Sequence, residues 1–154
     1  TLSSFNEALG ISLAAQQSNL DYTIGFILNE NGTLLDGMDL HRAIQGIDEA
    51  TIKKPLGYTI TCTHASTIAK LNESYPQYQR LIGAQANGSS LPARELAKMT
   101  TAVSDNPVKF ADDMQQLKQK FGLTIVAGCC GTTKEHLRAM AEKFKQELHA
   151  KTTQ

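Results

Sequence analysis

Near the start of the chain the apolar residues Phe5, Ala8, Leu9 and Leu13 recur at intervals of three and four, which stacks them on one side of a helix. The run DYTIGFIL (21–28) is different in kind. Its aromatic and β-branched residues lie close together and are followed by the turn sequence NENG, which predicts a buried strand. Helical spacing returns with Leu40, Ala43, Ile44 and Ile47, and Asp39 is placed to cap that helix. GYTITCT (57–63) predicts a second strand. Ile68 and Leu71 then open a helix that Pro76 kinks or ends unless Tyr78 restarts a turn, and LIGAQAN (81–87) predicts a shorter strand. After a polar stretch (88–105), Asn106, Pro107 and Gly122 supply the N-cap, first-turn proline and closing glycine of a helix. LTIVAG (123–128) predicts the last buried strand. Thr132 and Glu135 have capping-box spacing ahead of a helical face formed by Leu137, Met140, Ala141, Phe144 and Leu148, and the tail AKTTQ is expected to fray.

The order is one leading helix and then four strand-helix units, with no low-complexity linker or composition shift. Such alternation predicts an α/β fold with four parallel strands and crossover helices, in a single domain over residues 1–154. A chain of this length can bury roughly two thirds of its extended surface, enough for a core. In such sheets chemistry collects at the carboxyl ends of the strands. All three cysteines lie there, Cys62 ending the second strand and Cys129 and Cys130 ending the fourth.

Composition narrows the function. Fifteen basic and fifteen acidic side chains cancel, so no basic field exists to draw nucleic acid and no polybasic patch to draw a membrane. No apolar stretch reaches about 18 residues and the start lacks a signal-peptide pattern, which together predict a cytoplasmic protein. An odd cysteine count cannot be fully paired within the chain, so free thiols or metal ligands are expected rather than a disulfide scaffold. The chain lacks an initial Met and enters a helix almost at once, which raises the expectation of missing upstream sequence.

Strands two apart in a sheet bring their ends within roughly 10 Å, so inward-pointing cysteines on them can share an ion. Three thiolates match the ligand count of a catalytic zinc, which keeps a fourth position open. Adjacent cysteines reach one ion only if the backbone leaves strand geometry, and Gly128 and Gly131 flank the pair. Other readings stay open. A lone Cys62 on a buried strand is commonly a small hydrophobe, and the vicinal pair is also compatible with redox chemistry, although the usual two-residue gap is absent. His64 reads as a ligand, a base, a loop residue or a helix-start polar group, and His136 as a surface residue in the first turn of the last helix.

With these residues in view, the chain resembles the zinc-dependent homocysteine S-methyltransferases, the family of betaine:homocysteine methyltransferase and the homocysteine domain of methionine synthase. IVAGCCGTTKEHLRAM (125–140) looks like that family's last strand and helix, and GYTITCTH (57–64) like the segment holding its third cysteine, with Thr61 where the family usually has asparagine. GFILNENGTLLDGMDLHRAI (25–44) is similar to the strand and helix before it. In GAQANGSSL (83–91) only Asn87 carries over as a substrate contact, while Gln85 and Ala86 depart.

The resemblance implies the C-terminal half of a (βα)8 TIM barrel, a partial homocysteine-binding domain over 1–154 whose N-terminal half is absent. It implies Zn2+ on Cys62, Cys129 and Cys130, and methyl transfer from a small donor to the zinc-bound thiolate of homocysteine, giving methionine. The half is expected to be insufficient for turnover alone. The alternative is a noncatalytic zinc-binding half-barrel that self-associates or binds a partner. Either way, the inner faces of the strands, with Ile24, Phe26, Ile60 and Ile125 as candidates on whichever side turns inward, would be open to water, at a cost of about 25 cal/mol per Å².

Overall fold

The computed structural model describes residues 1–152 apart from 19, 92, 97 and 102, with the side chains of 93, 94 and 147–152 also outside the described set. Strands β1 (Ile24–Phe26), β2 (Tyr58–His64), β3 (Leu81–Asn87) and β4 (Ile125–Gly128) form one parallel sheet in the order β1-β2-β3-β4. Helices alternate with them: α1 (Phe5–Ala15), α2 (Leu40–Ala50), α3 (Ala65–Ile68), α4 (Ala93–Leu96), α5 (Pro107–Phe121) and α6 (Lys134–Thr152). This is the expected α/β arrangement of half a (βα)8 barrel.

Register explains which side of the sheet is packed. Phe26, Ile60, Ala84 and Val126 are aligned across the four strands, and the first three of them are buried. They belong to the core that also takes in Ile44 and Ile47 of α2, Met114 and Leu117 of α5 and Met140 of α6. The neighbouring row, Gly25, Thr59, Gly83 and Ile125, points the other way. Of the two sides left open by the sequence, Ile24, Phe26 and Ile60 are on the buried one, facing the helices. Among the four candidates Ile125 is the one open to water, at 51% exposure. The open face is otherwise small and polar, so its exposure is cheaper than a run of branched apolar residues would make it.

Several elements differ in extent from the sequence pattern. The first strand covers three residues rather than 21–28, because beyond Phe26 the chain turns so that Leu28 bridges Leu34. In α1 the buried positions are Ala8 and Ser12, and Leu13 is 38% exposed. Ser12 is accommodated because its hydroxyl donates to the Ala8 carbonyl at 2.8 Å. Asp39 occupies the N-cap position of α2 without a side-chain capping bond. The helix after β2 stops at Ile68, and Pro76 opens a separate 3-10 turn, Pro76–Arg80.

α5 keeps its predicted limits. Asn106 accepts from the Val108 and Lys109 amides, and Gly122 closes the helix at φ 65°. α6 is assigned through Thr152, while the Leu148 side chain and residues 153 and 154 of the tail expected to fray lie outside the described set.

Candidate metal centre

Cys62 sits where β2 loses register. Thr61 pairs with Gln85 and Thr63 with Ala86, leaving Cys62 as the extra residue of a bulge. Its φ is 50°, in the left-handed region, and it is the one non-glycine residue with positive φ among the described residues. Holding a cysteine there costs on the order of 1–3 kcal/mol. The bulge has a clear consequence. In unbroken strand geometry Cys62 would point to the helix side with Ile60, whereas the bulge gives that place to Thr63, which is 3% exposed. Thr63 is fixed there by accepting from the Leu28 amide at 2.9 Å and donating to the Thr61 carbonyl at 3.1 Å. Cys62 is thereby released toward the ends of the strands. Thr61, at the position of the family's usual asparagine, donates to Thr1 Oγ1 at 2.9 Å.

The cysteine pair lies in a tight turn after β4. The Cys129 amide donates to the Ala86 carbonyl at 2.7 Å, and the Thr132 amide closes the turn onto the Cys129 carbonyl at 3.1 Å. The two glycines flanking the pair act differently. Gly131 has φ 78°, the conformation a side chain resists. Gly128 is required by proximity, because a Cβ there would stand 2.5 Å from Thr132 Oγ1.

These two backbone departures bring the sulfurs together. Cys62 Sγ lies 2.7 Å from Cys129 Sγ, too far for a disulfide of about 2.05 Å. Cys129 Sγ lies 3.9 Å from Cys130 Sγ, and the three sulfurs are all within 4.8 Å of one another. Thiolates at about 2.3 Å from a tetrahedral ion stand roughly 3.8 Å apart, so the cluster fits after Cys62 and Cys129 part by about an ångström. An all-thiolate donor set is soft, which suits zinc, copper(I) or iron–sulfur chemistry and not magnesium or calcium. The cluster could therefore hold a metal ion.

Without a metal, the Cys62 and Cys129 sulfurs are within hydrogen-bond reach of one another. Burial pushes the Cys62 thiol up to about 12, helped by its hydrogen bond to Cys129. Burial also opposes ionisation of Cys129, but hydrogen bonds from the Cys62 thiol and from the Cys130 and Cys62 amides outweigh it and hold that thiol below its ordinary value. Cys129 is thus the first of the pair to become a thiolate.

Asn87, the expected substrate contact, is committed on one side. Its Nδ2 donates to the Cys62 carbonyl at 2.9 Å, bracing the strained residue, while its buried Oδ1 has no partner. It lines a cleft of about 490 Å³ together with Asn29, Glu30, Cys62, His64 and Ser89.

His64 caps α3, its Nδ1 accepting from the Ser66 amide at 3.2 Å, which agrees with the helix-start reading. His136 departs from its expected surface position and is 1% exposed. The cap of α6 lies one residue later than the predicted Thr132–Glu135 box. Thr133 Oγ1 accepts from the Glu135 amide at 3.3 Å, and His136 Nδ1 accepts from the Thr133 amide at 3.1 Å, taking the part glutamate usually plays. The sequence reading missed Asp105, whose carboxylate meets His64 Nε2 at 2.9 Å and whose carbonyl meets His136 Nε2 at 3.0 Å. No local signal marks it, since both partners are remote in sequence.

Among the described residues no helix is long and apolar enough to cross a membrane. No curated protein matches the chain. Residues 1–144 match the family model described as homocysteine S-methyltransferase, with both cysteine-bearing strand ends inside the match, and the chain belongs to that family.

Proposed function

We propose that this chain supplies the three-cysteine zinc site of a homocysteine S-methyltransferase and forms the C-terminal half of its homocysteine-binding barrel. The observation that carries this reading is the gathering of the Cys62, Cys129 and Cys130 sulfurs within 4.8 Å at the carboxyl ends of β2 and β4. Zinc bound by these sulfurs would supply Lewis acidity favouring the thiolate form of an incoming thiol. The three thiolates would bind the ion, the bulge at Cys62 and the turn at Gly131 orient them, and Asn87, on the lining of the adjoining cleft, is the proposed contact for the amino-acid substrate. A methyl group passes from a small donor to the homocysteine sulfur. A carbon–sulfur bond forms as the bond from methyl to donor breaks, the donor keeps that electron pair, and the product is methionine. A cluster of reduced thiols favours a reducing compartment, the cytoplasm.

The test is methionine formation from homocysteine by the reduced, zinc-loaded chain, alone and with the strands that complete the barrel, across sulfonium, quaternary ammonium, folate and corrinoid donors. Methionine formed only with the completed barrel supports the half-domain reading. No methionine from any combination contradicts the proposed activity.

A second reading is favoured by the open sheet face around Ile125, namely a noncatalytic zinc-binding half-barrel that self-associates through that face. It predicts zinc binding and a dimer without turnover.

A further inference from the structure

Two imidazoles from separate parts of the fold converge on Asp105. His64 lies two residues beyond Cys62, and with Nδ1 engaged as an acceptor its proton sits on Nε2, donated to the Asp105 carboxylate at 2.9 Å. His136, in the first turn of α6, is arranged the same way, so its Nε2 proton is donated to the Asp105 carbonyl at 3.0 Å. The Asp105 amide donates to the Gly88 carbonyl at 2.6 Å, and the Gly88 amide donates onward to the Cys130 carbonyl at 2.8 Å. The preceding Ser104 hydroxyl donates to the Gly131 carbonyl at 2.5 Å. The amide, carbonyl and carboxylate of Asp105 are all engaged. Each bond runs to the end of β2, to the residue after β3, or to the helix that follows the Cys129–Cys130 turn.

The contacts are close as well as numerous. A Cβ at Gly88 would stand 2.7 Å from the Gly131 carbonyl carbon and oxygen, so the loops after β3 and β4 lie backbone against backbone. His136 is packed edge-on against Phe110 at 5.3 Å between ring centroids, which ties the same junction to α5. The junction is therefore braced on the helix side, and Asp105 joins the end of β2 to it through His64, alongside the Asn87 bond to the Cys62 carbonyl.

We infer that Asp105 is a positioning residue for the sulfur cluster, joining the Cys62 strand end to the Cys129–Cys130 turn through His64, Gly88 and His136. It touches no sulfur. It gathers the thiols before any ion arrives, so the chain does not have to order these loops when metal binds. The metal-affinity part of the test rests on the function proposed above, and the thiol part does not.

The metal-affinity part compares Asp105→Ala, Asp105→Asn, His64→Ala and the control Leu117→Ala, a core residue of α5, in Zn2+ competition and in the charge-transfer absorption of bound Co2+. Asp105→Ala and His64→Ala are each expected to weaken Zn2+ binding about 10–100-fold. Together they should cost no more than either alone, because they remove the same bond from its two ends. The Co2+ absorption should fall as a thiolate ligand is lost. Asp105→Asn keeps an acceptor oxygen for His64 and should retain the wild-type spectrum, and Leu117→Ala should lower only the melting temperature. Wild-type affinity and spectrum in Asp105→Ala overturn the inference, as does the same loss in Leu117→Ala. His64→Ala carries the test if Asp105→Ala does not fold.

A wild-type chain that binds neither ion contradicts the metal site and leaves the positioning role to the thiol part. In metal-free Cys130→Ser protein, the azo oxidant diamide joins Cys62 to Cys129 and is itself reduced to the hydrazine. Adding Asp105→Ala should slow that joining about tenfold or more, in line with the effect of removing an outer-shell support. An unchanged rate overturns the inference.

Discussion

The side-chain amide of Asn87 donates to the carbonyl of Cys62 at 2.9 Å, so the end of β3 braces the one left-handed cysteine of β2. Removing it leaves a strained peptide without its partner. Asn87→Ala is expected to lower stability by about 1–2 kcal/mol, read by urea unfolding, and to weaken Zn2+ binding about 10-fold, read by chelator competition. Unchanged zinc affinity at reduced stability would show that Asn87 supports the fold and not the site.

Gly88 and Gly10 make a contrasting pair. A Cβ at Gly88 meets the backbone of Gly131 at 2.7 Å and the Thr132 amide nitrogen at 2.8 Å, atoms that cannot move aside without shifting the cysteine turn. Gly88→Ala should destabilise by about 1–3 kcal/mol and lower metal affinity. A Cβ at Gly10 meets nothing within 4 Å on the exposed side of α1, so Gly10→Ala should add about 0.5–1 kcal/mol. Thermal unfolding of both variants checks the pair, and equal effects would contradict the close-approach argument.

The metal-free thiols should ionise in a set order. In a Cys130→Ser background, thiolate absorbance is expected to rise first below the ordinary thiol value, from Cys129, and last near 12, from Cys62. The stability consequences have opposite signs. The depressed Cys129 contributes stability that is present above its unfolded value and lost as pH falls through its folded one. The raised Cys62 contributes stability that is complete below its unfolded value and lost as pH climbs toward about 12. Alkylation at neutral pH should therefore mark Cys129 before Cys62, and the reverse order would contradict the assignment.

Ile125 is 51% exposed on the edge strand β4, beside an otherwise small and polar face. If copies of the half-barrel associate through that face, Ile125→Glu should shift the sedimenting species toward monomer and leave zinc content unchanged. An unaltered mass distribution would remove the face from the account of association.

Much of the architecture was readable because strand and helix periods differ and α5 carries its own boundary markers, Asn106, Pro107 and Gly122. The positions of the three cysteines at strand ends were equally legible. What the pattern could not supply was parity. A single extra residue at Cys62 reverses the side to which its side chain points, and nothing in GYTITCTH announces a bulge. The sequence left the inner face open because a continuous apolar strand does not say which alternate residues meet the helices, and here the glycine and threonine rows face outward from the core. His136 read as a surface residue because its burial comes from Asp105 and Phe110, contacts remote in sequence.

The central claim is that Cys62, Cys129 and Cys130 together hold zinc, and elemental analysis of the reduced chain tests it most directly. The account predicts one zinc per wild-type chain and its loss in Cys129→Ala. A wild-type chain without zinc, or a Cys129→Ala chain that keeps it, would contradict the account.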